Sequence, residues 1–184
     1  MSQMPALLQR NDQFTRTAQP LPLGLPRRQV VLLMCLDHRI DPAAVFGLEP
    51  GDAPVIRNAG GRVTPAVIND IAFLAFLAGR LRGGAEGTAE GLFEVAVVHH
   101  TQCGTGFLAE PGFLTQAAEA TGIPDADLAA TAVAHPTLTV RADVERLLAS
   151  PQLPPGVSIS GHLHDLATGR VSTVIDARPD RAPG

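Results

Sequence analysis

Val30-Val31-Leu32-Leu33-Met34-Cys35-Leu36-Asp37-His38-Arg39 changes character at its middle, from an unbroken apolar run to a polar cluster. An apolar run without alternation is the pattern of a strand buried on both faces of a parallel sheet. A second stretch repeats the design: residues 93–98 read as a buried strand that runs into His99-His100-Thr101-Gln102-Cys103-Gly104. Strands of this kind alternating with helices imply an α/β domain with a mainly parallel sheet. Ligands of such sheets bind beyond the carboxyl ends of the strands. Both polar clusters fall there.

Working outward, residues 1–28 are polar and punctuated by Pro5, Pro20, Pro22 and Pro26. They read as an N-terminal arm with a short helix near 7–17, ahead of one domain over 29–184. Asp41-Pro42 starts a short helix, Glu49-Pro50-Gly51-Asp52 is a turn, and residues 53–57 form a second strand. Thr64-Pro65 is an N-cap and first-turn pair. From it Val67, Ile71, Leu74, Ala78 and Leu81 keep helical spacing, widened by Ile68, Ala72 and Ala75. Phe73 and Phe76 on the same helix read as core. The glycine-rich segment 83–91 ends this helix. Residues 107–120 look helical but interrupted at Pro111-Gly112, and 139–149 form another helix. Residues 157–161 and 170–175 alternate as a late strand and its hairpin partner.

Composition narrows the function. Hydrophobic residues make up 45% of the 184 residues, enough for a packed core. Acidic residues number 18 against 14 basic, a net charge of −4, with no basic cluster to track phosphates. Nucleic acid is therefore not an expected partner. Every basic residue is arginine, which removes Schiff-base and P-loop lysine chemistry. The longest apolar runs are far shorter than the ~20 residues of a membrane span. The first 28 residues lack the order of a secretory signal. A soluble, cytoplasmic protein with reduced cysteines is the expectation.

Cys35 with the His100-x-x-Cys103 pair offers two sulfurs and one nitrogen. Zinc accepts such a set in tetrahedral geometry, and three protein ligands leave the fourth position open, as catalytic sites do. The same residues also permit two buried apolar cysteines, a nucleophilic Cys–His pair, or a redox pair. Asp37 and Arg39 follow Cys35 at alternate positions, so an extended chain puts all three on one side. A carboxylate there can ligate a metal, accept a proton or orient water, and an arginine can hold it by a bidentate pair. The alternative is a solvated surface ion pair. His99 would face the opposite way from His100, as a packed histidine. His162 and His164 share a strand face, a pair that alone makes no metal site.

These motifs resemble a known family. Cys35-Leu36-Asp37-His38-Arg39 resembles the C-x-D-x-R motif of the β-class carbonic anhydrases, and His100-Thr101-Gln102-Cys103-Gly104 their H-x-x-C-G motif. Gly51-Asp52 with Arg57-Asn58-Ala59-Gly60 is similar to their G-D…R-N-A-G segment. Gly161-His162-Leu163-His164-Asp165 and Thr168-Gly169 are similar to their closing strand and hairpin. The resemblance implies a parallel four-stranded sheet flanked by helices, with a C-terminal strand or hairpin. It implies Zn²⁺ on Cys35, His100 and Cys103, and an Asp37–Arg39 dyad whose aspartate can become a fourth ligand in a closed state. It implies hydration of CO₂ to bicarbonate and a homodimer or higher homo-oligomer. Ala59, Gly60 and Gly104 are candidates to line the small substrate pocket. Hydrolysis of a CO₂ analogue, COS or CS₂, and a non-catalytic zinc-binding or sensing role remain alternatives of the same fold. Gln102, Thr105 and His164 depart from the family's usual residues, and segment 83–91 looks like an insertion. His38 would be a proton shuttle only if its side chain turned towards the metal side.

Overall fold

The two apolar runs that end in metal-type residues become adjacent central strands. The computed structural model describes residues 2–83 and 93–179. In chain order the elements are α1 (Met4–Phe14), β1 (Val30–Cys35), α2 (Pro42–Phe46), β2 (Val55–Asn58), α3 (Pro65–Leu81), β3 (Phe93–His100), α4 (Pro111–Thr121), α5 (Asp125–Ala130), α6 (Pro136–Leu148), β4 (Val157–His164) and β5 (Val171–Pro179). Short 3₁₀ turns occupy Ala59–Gly61 and Gly104–Ala109. Among the described residues the sheet has five strands in the order β2-β1-β3-β4-β5. The first four run parallel, and β5 returns antiparallel along β4. This is the expected parallel four-stranded sheet with a closing strand.

Alternate residues of the central strands serve two cores. Val31, Leu33, Val95, Val97, Val157 and Ile159 pack against α3 and α6, through Val67, Ile71 and Ala75 and through Val140, Val144 and Leu147. Leu32, Met34, Ala96 and Val98 point to the other face, where a smaller cluster with Ile40 and Val133 also takes in Cys35 and Cys103. The helix starts follow their caps: the Thr64 side chain accepts from the Val67 N–H, and that of Asp41 from the Ala44 N–H.

Several boundaries moved for physical reasons. Pro111 does not interrupt a helix; it is the first residue of α4, where a missing N–H costs nothing. Likewise α6 begins at Pro136, three residues before the expected 139. β3 extends to His100 because pairing with β4 continues to His100 opposite His164. The short helix α5 carries no apolar stripe long enough to announce it. Phe73 and Phe76 are not core: they are 61% and 66% exposed. Ile71, Ala75 and Ala78 define the buried side of α3, and positions 73 and 76 fall outside that arc. The arm helix α1 has no buried residue. Apart from Gly83, the segment 83–91 lies outside the described residues. Among the described residues, no helix is long and apolar enough to cross a membrane.

Candidate metal centre

Parallel pairing places the ends of β1 and β3 side by side. Cys35 is the last residue of β1, His100 the last of β3, and Cys103 follows one turn later. That turn closes because Gln102 adopts a left-handed backbone, φ 55°, which a non-glycine residue holds only under local constraint. The ligand atoms of Cys35, His100 and Cys103 all lie within 4.8 Å of one another, and all three residues are buried.

The geometry meets a strict test for a metal. Two thiolates about 2.3 Å from one tetrahedral ion stand about 3.8 Å apart; the Sγ atoms of Cys35 and Cys103 are 3.8 Å apart. The ring Nδ1 of His100 lies 2.9 Å from the Thr101 carbonyl oxygen. A carbonyl can only accept, so Nδ1 carries the proton and Nε2 offers its lone pair. That Nε2 is buried and has no hydrogen-bond partner among the described residues. A buried unsatisfied acceptor costs free energy, and a metal ion would relieve it. The three residues fit Zn²⁺.

Proton affinities split across the sulfurs. Cys103 is drawn down to about 3, foremost by its contact with Cys35, against the effect of burial, with help from His100 and Thr105. The same contact, together with burial, pushes Cys35 far above the ordinary thiol range. For His100, burial opposes the proton, but Cys103, the Thr101 carbonyl and the Asp37 charge together outweigh it and raise the imidazole.

Asp37 and Arg39 stand beside this cluster and are paired as the sequence suggested. The Arg39 guanidinium donates twice to the Asp37 carboxylate, Nε to Oδ1 at 2.9 Å and Nη2 to Oδ2 at 2.6 Å. The Arg39 backbone N–H adds a third bond to Oδ1. Arg39 thereby holds Asp37 well below the usual carboxylate range. The same Nη2 donates to the Gln102 carbonyl at 2.8 Å, which joins the two motifs. The His38 side chain is 94% exposed, its Nδ1 3.9 Å from Asp37 Oδ1.

Residues with no obvious chemistry hold this frame. Arg57 donates to the Cys35 carbonyl at 3.0 Å and to the Asp37 carbonyl at 2.7 Å, clamping the chain as it leaves β1. Behind the site, Asp143 is fully buried and receives Arg62 Nε at 2.6 Å, with Arg146 and His99 Nε2 each 3.3 Å away. Burial works against the Asp143 charge, yet His99 and Arg62 outweigh it and lower its pKa. His99 also lies 2.8 Å from Thr139 Oγ1 and 3.2 Å from the Gly61 carbonyl, so it is a packed histidine facing away from the metal ligands. The sequence offered no signal for Asp143, which sits mid-helix 81 positions from its partner Arg62. The pair His162 and His164 gathers no third metal-type ligand among the described residues.

The small-residue loop behind Cys35 is sterically fixed. A Cβ on Gly61, whose φ is 65°, would lie 2.8 Å from the Cys35 nitrogen. One on Gly60 would lie 2.5 Å from the Thr131 carbonyl oxygen, and Ala59 opens the same turn. Gly104 instead faces open space, with nothing within 4 Å of a built Cβ. Gly61→Ala should therefore displace the end of β1. We expect reduced zinc uptake and a loss of roughly 1–3 kcal/mol of stability, checked by metal analysis and urea unfolding.

Comparison with known proteins places this arrangement in context. No family model matches the chain. The chain is 30% identical over 164 residues to beta-carbonic anhydrase 1 of Mycobacterium tuberculosis, covering 84% of this chain and 86% of that protein. It is 27% identical over 171 residues to the carbon disulfide hydrolase of Acidithiobacillus thiooxidans, covering 81% and 79%. Among solved structures, carbonic anhydrase from Streptococcus mutans superposes with a TM-score of 0.76 at 32% identity, over 95% of this chain and 98% of that one.

Proposed function

Because this chain belongs to the β-carbonic anhydrase family, we propose that it binds Zn²⁺ at Cys35, His100 and Cys103 and catalyses the reversible hydration of CO₂ to bicarbonate and a proton. The observation that carries the reading is the buried, partnerless Nε2 of His100 facing two sulfurs at tetrahedral spacing, with an ionised carboxylate at hand.

Bound zinc supplies Lewis acidity that brings the pKa of water from 15.7 to about 7. The chain supplies orientation. Asp37, kept ionised by Arg39, is an acceptor only, so it takes a hydrogen bond from the attacking oxygen and turns its lone pair towards the carbon. Arg39 is occupied by Asp37 and by the Gln102 carbonyl. CO₂ is small and apolar and needs little recognition. Ala59, Gly60 and Gly104 provide the small-residue lining in this proposal.

Stopped-flow CO₂ hydration across pH 6–9, with zinc content measured on the same sample, tests the reading. A zinc-loaded protein inactive across that range would overturn it. Asp37→Ala should keep its zinc and lose on the order of 10²-fold or more in kcat; full activity in that variant would remove the dyad from the mechanism. Since Arg39 holds Asp37 below the ordinary carboxylate range, an activity loss between pH 8 and 6 should persist in Asp37→Asn and report the water instead.

The carbon disulfide hydrolase relative supports a second reading, hydrolysis of CS₂ or COS at the same centre. Hydrogen sulfide release from either substrate, compared with CO₂ turnover, separates the two. A non-catalytic zinc-sensing role is disfavoured by the placed Asp37–Arg39 pair. The proposal includes a homodimer or higher homo-oligomer, supported by the apolar side chains Leu7, Leu8, Phe73 and Phe76 left exposed on one chain. It also includes a cytoplasmic location, since unpaired thiolate ligands suit a reducing compartment.

A further inference from the structure

We propose that Thr105 is a positioning residue that tunes the metal centre by donating its hydroxyl hydrogen bond to the Cys103 sulfur. The inference rests on the zinc reading above. Thr105 Oγ1 lies 3.2 Å from Cys103 Sγ, close for a hydrogen bond to sulfur. Among the described residues, that hydroxyl has no other partner, and no hydroxyl reaches the sulfur of Cys35.

The local chain enforces the contact. Cys103 precedes the 3₁₀ turn Gly104–Ala109, and Thr105 is the second residue of that turn. The Gly106 N–H closes on the Cys103 carbonyl at 2.9 Å, which keeps the backbone curled round the sulfur. The donor is therefore placed by residues adjacent to the ligand.

The chemical effect follows from charge. A thiolate ligand passes electron density to its metal. A hydroxyl proton on the sulfur withdraws part of that density, as hydrogen bonds to ligands generally tune a metal site. Cys103 becomes the weaker donor of the two sulfurs, and the ion keeps more of its Lewis acidity for the open position. An apolar side chain of the same shape at position 105 would lack this effect. The contact thus makes the two cysteines unequal, although each is formally one thiolate ligand.

Cobalt-loaded protein reads the sulfur directly through its thiolate-to-metal charge-transfer band. Thr105→Val keeps the shape and removes the donor; Thr105→Ser keeps the donor. We expect about one Co²⁺ per chain in all three proteins. The band should move to longer wavelength in Thr105→Val and stay at the wild-type position in Thr105→Ser. The zinc form of Thr105→Val should lose about 10-fold in kcat, restored in Thr105→Ser. Coincident bands in the wild type and Thr105→Val would overturn the inference and leave the metal centre standing. A wild type that takes up no Co²⁺ would overturn both.

Discussion

His100→Ala is expected to abolish zinc binding and, with it, the proposed CO₂ hydration, down to the rate of the solution reaction. His100 supplies the single nitrogen of the set, and its removal leaves two sulfurs of unequal proton affinity. Two protein ligands do not hold a catalytic zinc, for which three are the working number. The loss is large because the water pKa returns from about 7 towards 15.7, removing nearly all nucleophile at neutral pH. The fold should survive. His100 ends β3, its ring makes one hydrogen bond to its neighbour's carbonyl, and alanine removes the unsatisfied Nε2. Metal analysis, stopped-flow hydration and thermal unfolding on one preparation check all three points. An active His100→Ala protein would place the chemistry elsewhere.

Asp143→Ala is the expected structural counterpart: a protein that unfolds far more easily although no metal ligand has been touched. Asp143 is wholly enclosed and neutralises a nearly buried Arg62, with His99 on its other side. Removing one partner of a buried ion pair strands the other and costs about 3–5 kcal/mol. Against a typical total of 5–15 kcal/mol, that is a large fraction. For a chain of this length it corresponds to a fall in Tm on the order of 10 °C. Asp143→Asn, which keeps an acceptor for Arg62 and His99, should lose less. Equal Tm values for Asp143→Ala and the wild type would show that the pair stabilises nothing. The damage should reach the metal centre as well. Arg62 leads out of the loop that backs Cys35, where Asn58 and Arg62 exchange two hydrogen bonds.

The Cys35–His100–Cys103 cluster was legible because its parts are chemically loud. Cysteine and histidine at the ends of unbroken apolar runs mark a ligand site, and parallel pairing brings run-ends together without further instruction. The dyad was legible for a similar reason, a charge pair at a two-residue spacing beside a ligand. Asp143 was not legible, since an aspartate within a mixed helix looks like any solvated residue until α6 is docked on the sheet. Arg57 appeared only as part of a loop motif; its grip on two backbone carbonyls depends on β2 lying beside β1. Phe73 and Phe76 misled because two aromatics invite burial, whereas the helix phase set by Ile71 and Ala75 leaves them outside. Pro111 reads in the sequence as a break, although a proline without an N–H suits the first turn of α4; α6 likewise starts at a proline, three residues before its apolar spacing announces it.

Arg39 has two anchors of different kinds: the carboxylate of Asp37, and the carbonyl of Gln102 in the turn between His100 and Cys103. If Asp37 releases its grip, the guanidinium remains tethered to that turn. The carboxylate then leaves and returns to a fixed keeper, as a latch bolt does, and the return requires no search by two long side chains. Release costs the contacts between Arg39 and the Asp37 carboxylate and not the order of a whole arginine. The left-handed Gln102, which first looks like a local oddity of the H-x-x-C turn, is the strike plate of that latch.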